Sequence, residues 1–549
     1  MSFPTEPPAL AISRRDIFRL GGASAALVAT APLAAQTRTG FTHGVASGEP
    51  GQDRVLLWTR FVGSQDTPLD WEVRTNDAER RLVAEGSVVA SPDNDWCAKA
   101  QVTGLEPDRW YFYRFTAPNG EQSAEGRTRT LPAGETAAFR MAAFSCSNLG
   151  FGWFNAYRHA AETGDFDLAL HLGDYFYEYA PGTYPDDERR LPERTVYPET
   201  ETVALADYRL RHAAYRDDPD LQRLHQIVPW IMGWDDHESA NDSWTGGAEN
   251  HQPDSEGEWS ARKRAAMRAY REWLPVSDNP WEAYDIGDLA TLFRLETRLE
   301  ARSEQFSLST ILEGNATPEE AAAALTSFRD GDYRDPARTV LGSAQEAWLA
   351  SGLSRSRSEG KTWQVLVQQV LMGKVASPER LLEPLTQAAP EAVRPRLLAA
   401  ILASKAGLPL NMDAWDGYPA ARDRLLDAVL AADANLISLA GDTHNAWAFD
   451  LTHRGEAAGI EFAVQGVTSP GLETYLDPLP PETLARALVQ RNPELQWMDA
   501  SQRGYMVVEL TASSASCEWR FAGTIRQRTS RLAGTSRLSA EAGRNALTV

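Results

Sequence analysis

The sequence predicts an α/β protein: a layered core of buried strands and helices, preceded by a small all-β sandwich. Three observations predict it. The chain has 549 residues, more than one ordinary core holds, so at least two units are expected. Residues 38–132 carry short alternating segments broken by turns, whereas from 139 onward apolar strand-like runs alternate with helical stretches. A hydrophobic content of 43% is ample for burial and excludes a disordered chain.

The N-terminus, "SRRDIFRLGGASAALVATAPLAAQ", places a twin arginine before a short apolar stretch of small residues. That is the pattern of a bacterial twin-arginine export signal. Pro32 blocks cleavage after Ala29-Thr30-Ala31, so removal is expected after Ala35, giving a signal over 1–35. No later stretch approaches the ~20 apolar residues of a membrane span. The mature protein is thus expected to lack a transmembrane segment and to be periplasmic or secreted. The twin-arginine machinery, which carries proteins folded with their metal already bound, is its expected partner in export.

The next segments, "DRVLLWTRF", "DWEVRT", "CAKAQVTGLEPDRWYFYRF" and "EGRTRTLP", have strand length and are separated by turns such as "GEPGQD" and "APNG". They read as an antiparallel sandwich over 38–132, similar in its later strands to a fibronectin or immunoglobulin-like module. It shows no catalytic constellation, and "TLPAGETAA" reads as a linker. From 138 to 525 the strand-like runs are "FRMAAF", "DLALHL", "IVPWIMGW", "LATLFRL", "TWQVLVQQVL", "LISLAG", "IEFAVQG" and "GYMVVEL". "LADYRLRHAAY", "SARKRAAMRAYREWL" and "PAARDRLLDAVLAA" have helical periodicity, which gives a layered domain with buried strands. Residues 303–340 read as a polar, partly helical insertion and 526–549 as a C-terminal tail.

The formal charge is −22. Residues 1–35 hold Arg14, Arg15 and Arg19 against Glu6 and Asp16, so the mature chain carries about −23, which disfavours nucleic acid and anionic membranes as partners. An anionic substrate then needs a local positive centre, such as metal ions. Cys97, Cys146 and Cys517 are too few for a disulfide framework; a Cys97–Cys517 pair would leave Cys146 over.

Metal-capable residues end four of the strand-like runs. They are Cys146 in "AFSCSN", Asp174 and Tyr177 in "LALHLGDYFYEY", Asp235, Asp236 and His237 in "IMGWDDHESAND", and Asp442 and His444 in "LISLAGDTHN". Strand ends are where open α/β sheets build their sites. Singly, each has a plainer reading: Gly-Asp as a turn, Cys146 as a small buried hydrophobe, the histidines as core residues. Asp235-Asp236-His237-Glu238 is harder to dismiss, since consecutive ionisable groups after an apolar strand are costly to bury unless paired or metal-bound. Carboxylates suit hard cations while thiolate, phenolate and imidazole suit iron or zinc, so the set points to two unlike metals. A nucleophilic Cys146 would need a base beside the thiolate, and its motif supplies none.

"SCSN", "HLGDYFYEY", "WDDHES.N" and "AGDTHN", with "DYRLRHAAYRDDPDLQRLHQIVPWIMGWDDHE", resemble the alkaline phosphatase D (PhoD-like) branch of the calcineurin-like metallophosphatases. "HGVASGEPGQDRVLLWTR" is similar to that family's leading sandwich domain. The resemblance implies a four-layer αββα core and a metal-dependent phosphoric ester hydrolase, acting as phosphomonoesterase and phosphodiesterase, in which a metal-bound hydroxide attacks phosphorus in line. It implies iron(III) with one or two calcium ions; zinc or manganese is the alternative. Residue by residue, Cys146, Asp174, Tyr177 and Asp442 would hold iron. Asp174 would bridge to calcium, which Asp235 or Asp236, Asn241 and His444 would help hold. His237 matches a histidine placed beside the leaving group. "FRLETRLEARSEQF" matches the segment that brings an arginine to the phosphate, nominating Arg298 with Arg302 as competitor; Glu296 stands where the family more often has Asp. The plainer reading of Arg298 is a surface salt bridge. "SARKRAAMRAYREWLP" is read as core packing, and Trp153, Trp234 and Trp244 as candidates to line the pocket. Two other readings stay open: a phospholipase D-like phosphodiesterase on lipid or envelope polymer, and an envelope-binding protein with structural metals.

Overall fold

The computed structural model describes residues 38–548 apart from 316, 389–393, 477 and 478. The expected export signal at 1–35 lies outside the described residues.

The leading unit supplies β1 (Gly40–Gly48), β2 (Val55–Val62), β3 (Thr67–Thr75), β4 (Leu82–Ala90), β5 (Cys97–Val102), β6 (Trp110–Thr116) and β7 (Gly126–Arg129). β4-β3-β6-β7 form a four-stranded sheet. It encloses, with β1, β2 and β5, a core that includes Val45, Leu57, Leu69, Val73, Ala100, Tyr113 and Phe115. The sandwich exists, but it is not separate. β1 pairs in parallel with β10 (Pro229–Met232), so β1, β2 and β5 continue a sheet of the main domain. Trp58 Nε1 donates to the Glu272 carbonyl at 2.8 Å, and Lys99 Nζ to the carbonyls of Arg271 and Val276, both at 2.7 Å.

That sheet is ten-stranded. It contains β8 (Ala138–Phe144) and β9 (Leu168–His171) beside β10, all parallel. Beyond β8 lie antiparallel β18 (Gly504–Thr511), β19 (Ser514–Ala522), β20 (Leu532–Glu541) and β21 (Leu547–Thr548). The segment read as a tail is therefore the sheet's outer edge. Its alternation of partly buried and exposed residues, one-sided burial along a strand, carries too few large apolar groups to stand out as a strand-like run.

The second sheet is seven-stranded. It comprises β11 (Glu282–Ile286), β12 (Ala290–Arg294), β13 (Trp363–Val367), β14 (Leu436–Ala440), β15 (Ala446–His453), β16 (Glu456–Ala463) and β17 (Leu495–Asp499). The two sheets face each other across a core that includes Met141, Leu170 and Ile231 from the first and Leu292, Val365, Ile437 and Phe462 from the second. On the outer face of the first sheet pack Tyr208, Tyr215, Leu224 and Tyr270 of the helices Leu205–Arg216, Pro219–Ile227 and Trp259–Trp273. On the outer face of the second lie Leu349, Leu353, Leu425, Leu426 and Leu488 of the helices Gly342–Ser358, Pro419–Ala431 and Pro481–Arg491. The order is helix, sheet, sheet, helix, and strands covered on both faces become continuous apolar runs, which is why "LALH", "WQVLV" and "LISLA" are buried throughout.

Candidate metal centre

β8, β9 and β10 are parallel, so their C-terminal ends open onto one edge of the first sheet, and the loop after β14 meets them from the second. Two glycines make the approach possible. A Cβ on Gly173 would sit 2.3 Å from Cβ of Asp235, and one on Gly441 would sit 2.3 Å from Oγ of Ser145. The "GD" pairs are thus close crossings between loops rather than simple turns. Past the crossings the backbone is left-handed at Cys146 (φ 59°), Asp174 (56°), Asp442 (65°) and His444 (64°).

Ligand atoms of Cys146, Asp174 and His444 lie within 4.8 Å of one another. So do those of Asp235, Asp236 and Asp442, and those of Asp174, Asp236 and His237. Tyr177 joins the first group: its hydroxyl is 3.1 Å from Oδ2 of Asp174 and 3.1 Å from Nε2 of His444, and it accepts from Ser469 Oγ at 2.7 Å. The ligand atoms group otherwise than in the allotment the resemblance implies: His444 lies with Cys146, Asp174 and Tyr177, whereas Asp442 lies with Asp235 and Asp236, Nη2 of Arg298 being 3.4 Å from its Oδ1. Asn241 lines the pocket, with its amide nitrogen donating to Glu249 at 3.1 Å.

The residues present fit cations. Oδ1 of Asp174 and Oδ2 of Asp235 are buried and have no hydrogen-bond partner, a costly condition that a bound ion removes. Asp235 and Asp236 both belong to the site, but Asp236 already accepts from the backbone N–H groups of His237 (3.0 Å) and Asp242 (2.6 Å). Nδ1 of His444 donates to the Pro470 carbonyl at 2.7 Å, and burial lowers its pKa to about 3, so the ring is neutral with Nε2 left for a ligand. Burial and the neighbouring Asp174 push the Cys146 thiol well above its ordinary range; losing that proton requires a cation beside it.

His237 is held differently. Its Nδ1 donates to Oε2 of the fully buried Glu178 at 2.7 Å, and Glu178 also accepts from the Asn241 N–H and Asn250 Nδ2, both at 2.8 Å. Burial opposes a charge on the imidazole, but Asp236, Glu178 and Asp174 outweigh it and raise its pKa well above the ordinary value. Glu238 accepts from the backbone N–H groups of Asp174 (3.0 Å), Tyr175 (2.6 Å) and Asp235 (2.7 Å), and so ties two of the ligand loops together.

Arg298 is fully buried, which rules out a surface salt bridge. Its Nε bonds Asp235, its Nη1 bonds Asp413 at 2.5 Å, and Nη2 faces Asp442 and, at 3.9 Å, Asp236. Arg302 is also buried and bonds the other oxygen of Asp413 at 2.5 Å. Glu296 anchors this turn, accepting from Trp234 Nε1 (2.9 Å) and from the N–H groups of Arg298 (2.8 Å), Leu299 (2.6 Å) and Glu300 (2.8 Å).

The side chains border a pocket of about 330 Å³. Its lining combines the polar Asp174, Asp236, His237, Asn241, Asp242, Asn411, Asp416, Asp442 and His444 with the apolar Leu371, Val375, Leu410, Ala414, Trp447 and Leu472. Trp153, Trp234 and Trp244 are not among its lining residues; Trp447 is. Sequence reading noted Glu238 only as part of a run of ionisable groups and missed Glu178, Asp242 and Asp413. Glu178 and Asp242 lie inside quoted motifs, but Asp413, in "NMDAW", carries no local signal at all. The three cysteines are all free thiols, so the possible Cys97–Cys517 pair is not formed.

The profile of the PhoD-like phosphatase family matches residues 141–519. The chain belongs to that family. The N-terminal domain of PhoD-like phosphatases matches residues 26–132. Alkaline phosphatase D of Bacillus subtilis (strain 168) is 32% identical over 508 residues, covering 87% of this chain and 77% of that protein. A solved structure of PhoD superposes with a TM-score of 0.74 at 28% identity, covering 93% of this chain and 92% of that one. The protein is therefore a phosphoester hydrolase of a metal-dependent family, with the four-layer core and leading sandwich expected of it. The binding-protein reading is set aside. Among the described residues no helix is long and apolar enough to cross a membrane.

Proposed function

We propose that this PhoD-like chain is an exported phosphomonoesterase and phosphodiesterase that holds iron(III) through Cys146, Asp174, Tyr177 and His444 and calcium through Asp174, Asp235, Asp236, Asn241 and Asp442. The observation that carries the reading is the pair of donor clusters of unlike hardness, Cys146, Asp174, Tyr177 and His444 against Asp235, Asp236 and Asp442, joined where Asp174 approaches Asp236. Thiol, phenol and imidazole on one side suit iron, and carboxylates on the other suit a hard cation. Cations at such a site supply an activated water and neutralise phosphoryl oxygens.

The chain's own residues do the rest. His237, with Nδ1 committed to Glu178, offers Nε2 as proton donor to the departing alcohol. Arg298, buried and absent from the pocket lining, balances the buried carboxylates and fixes Asp235, with its Nη2 3.4 Å from Asp442. Burial of the ligand cluster excludes bulk water from everything but the pocket mouth. Export through the twin-arginine pathway rests on residues 1–35.

Elemental analysis and a visible spectrum of the purified mature protein test the metal assignment. Iron on the Tyr177 phenolate gives a coloured charge-transfer band, and Cys146→Ser loses iron before it loses calcium. A colourless, zinc-only or manganese-only protein of full activity overturns the assignment. Turnover of a monoester, a simple diester and a phospholipid separates the leading reading from a phospholipase D-like one.

A further inference from the structure

Part of the pocket lining is built on an unusual stretch of main chain. Five consecutive backbone N–H groups, at residues 372 to 376, each donate to a side-chain acceptor. Met372 donates to both oxygens of Glu461 (2.9 and 3.0 Å), Gly373 to Oε2 of Glu461 (2.9 Å) and Lys374 to Oε2 of Glu494 (3.1 Å). Val375 donates to Oδ2 of Asp416 (2.9 Å) and Ala376 to Oδ1 of Asn492 (2.7 Å).

The carbonyls are tied down as well. Leu371 accepts from the Trp415 N–H at 2.9 Å and Val375 from the Leu410 N–H at 2.7 Å, and Arg422 Nε donates to the Met372 carbonyl at 2.8 Å. Gly373 lies against Phe449 so closely that a Cβ would be 2.3 Å from its ring. Glu461 is fully buried in β16, takes a further bond from Ser438 Oγ at 2.9 Å and does not line the pocket. None of these bonds is required by the strand that precedes the segment. Their common effect is to hold Leu371 and Val375, both nearly fully buried, in place in the pocket lining. Leu410, Ala414, Trp447 and Leu472 add apolar side chains to that lining, beside Asn411 and Asp416.

We propose that this surface receives the leaving alcohol of the ester, that it selects phosphate esters of apolar alkyl or aryl alcohols, and that Glu461 is the positioning residue that fixes it. The inference rests on the phosphoester reading above. The phosphate must lie against the ligand carboxylates, where the cations neutralise it, which leaves the apolar lining residues to receive the alcohol. Contact with apolar side chains rewards each methylene taken from water by about fourfold in binding.

The test compares hexyl and ethyl phosphate, whose primary alcohols are equally poor leaving groups, on the metal-replete enzyme. If two methylenes more are buried for hexyl, kcat/KM is about 15-fold higher than for ethyl. Glu461→Gln, which keeps the size but offers an N–H where an acceptor is needed, is expected to lower the hexyl-to-ethyl ratio at least fivefold through KM, with kcat for ethyl phosphate and bound metal within twofold of wild type. Leu410→Ser, at a half-buried wall position, is expected to lower the ratio as well, so a Glu461→Gln chain that failed to fold leaves the test standing. Hydrolysis of both esters with a wild-type ratio near one overturns the inference alone, as does an equal loss on both esters in the two variants. No hydrolysis of either ester by the metal-replete wild type overturns the reading beneath it, and the inference with it.

Discussion

Replacing Arg298 by alanine separates two roles for that side chain, and the structure supplies the magnitude. The guanidinium and Asp235 are both fully buried, and the same group bonds Asp413 and faces Asp442 and Asp236. Removing one partner of such a buried pair leaves uncompensated charge and costs about 3–5 kcal/mol, against about 0–1 kcal/mol for an exposed pair. At about 2.1 cal/mol/K per residue, unfolding a chain of this length carries an entropy of about 1.1 kcal/mol/K. Arg298→Ala is therefore expected to lower Tm by about 3–5 °C in calorimetry of the metal-replete protein, with kcat falling alongside. A Tm within 1 °C of wild type, together with a KM raised about 100-fold and kcat preserved, would refute the argument. The arginine would then be a free phosphate clamp and the observed carboxylate contacts incidental.

Other expectations follow from the same contacts. Asp174→Ala removes the carboxylate shared by two ligand clusters and is expected to abolish turnover and lower both metals in elemental analysis; wild-type turnover would end the two-metal reading. Glu178→Gln leaves Nδ1 of His237 without its anionic acceptor and is expected to lower kcat about 100-fold on esters of poor leaving groups, with little change for an activated aryl ester that needs no protonation. Equal losses on the two substrates would show that His237 is not the proton donor. Glu238→Gln loosens the amides of Asp174 and Asp235 and is expected to weaken metal binding about 10- to 100-fold, measured by competition with a chelator.

Much of this site is legible in the sequence because its ligands follow short buried strands. "LALH" and "LISLA" are buried throughout and mostly apolar, so the first acidic residue after each is conspicuous, and Asp174 and Asp442 are found at once. The partition of ligands is not legible in that way. It depends on Arg298 drawing Asp442 toward Asp235, and on the Pro470 carbonyl turning His444 toward Tyr177, contacts between residues 26 to 144 positions apart. Asp413 shows the limit more sharply: it neutralises Arg298 and Arg302 from a stretch, "NMDAW", with no local signal. The leading sandwich was legible as a set of alternating strands, but its fusion to the main sheet rests on the Ser47 and Gly48 pairing with Pro229 and Trp230, which no alternation encodes.

The left-handed backbone at the ligands gives a way to measure what the site costs the fold. Asp and His visit that region more readily than most residues, because a short polar side chain can bond locally, but Cys146 has no such excuse. Its φ of 59° is held by its N–H on the Gly173 carbonyl at 3.2 Å and by its own carbonyl, which accepts from Ser469 Oγ at 3.0 Å. Two variants lose the thiol alike but differ in strain. Cys146→Ala keeps a Cβ in the left-handed region, whereas Cys146→Gly relieves it at a position packed against Gly466, where a Cβ on Gly466 would lie 3.4 Å from that of Cys146. The glycine variant is expected to be more stable than the alanine variant by about 1 kcal/mol, or about 1 °C in Tm, and both are expected to lose iron equally. A glycine variant less stable than alanine would mean that the turn is unstrained. The crossing at Gly173 would then set the direction of the thiol without cost, and the cysteine's place would owe nothing to a trade of stability for metal binding.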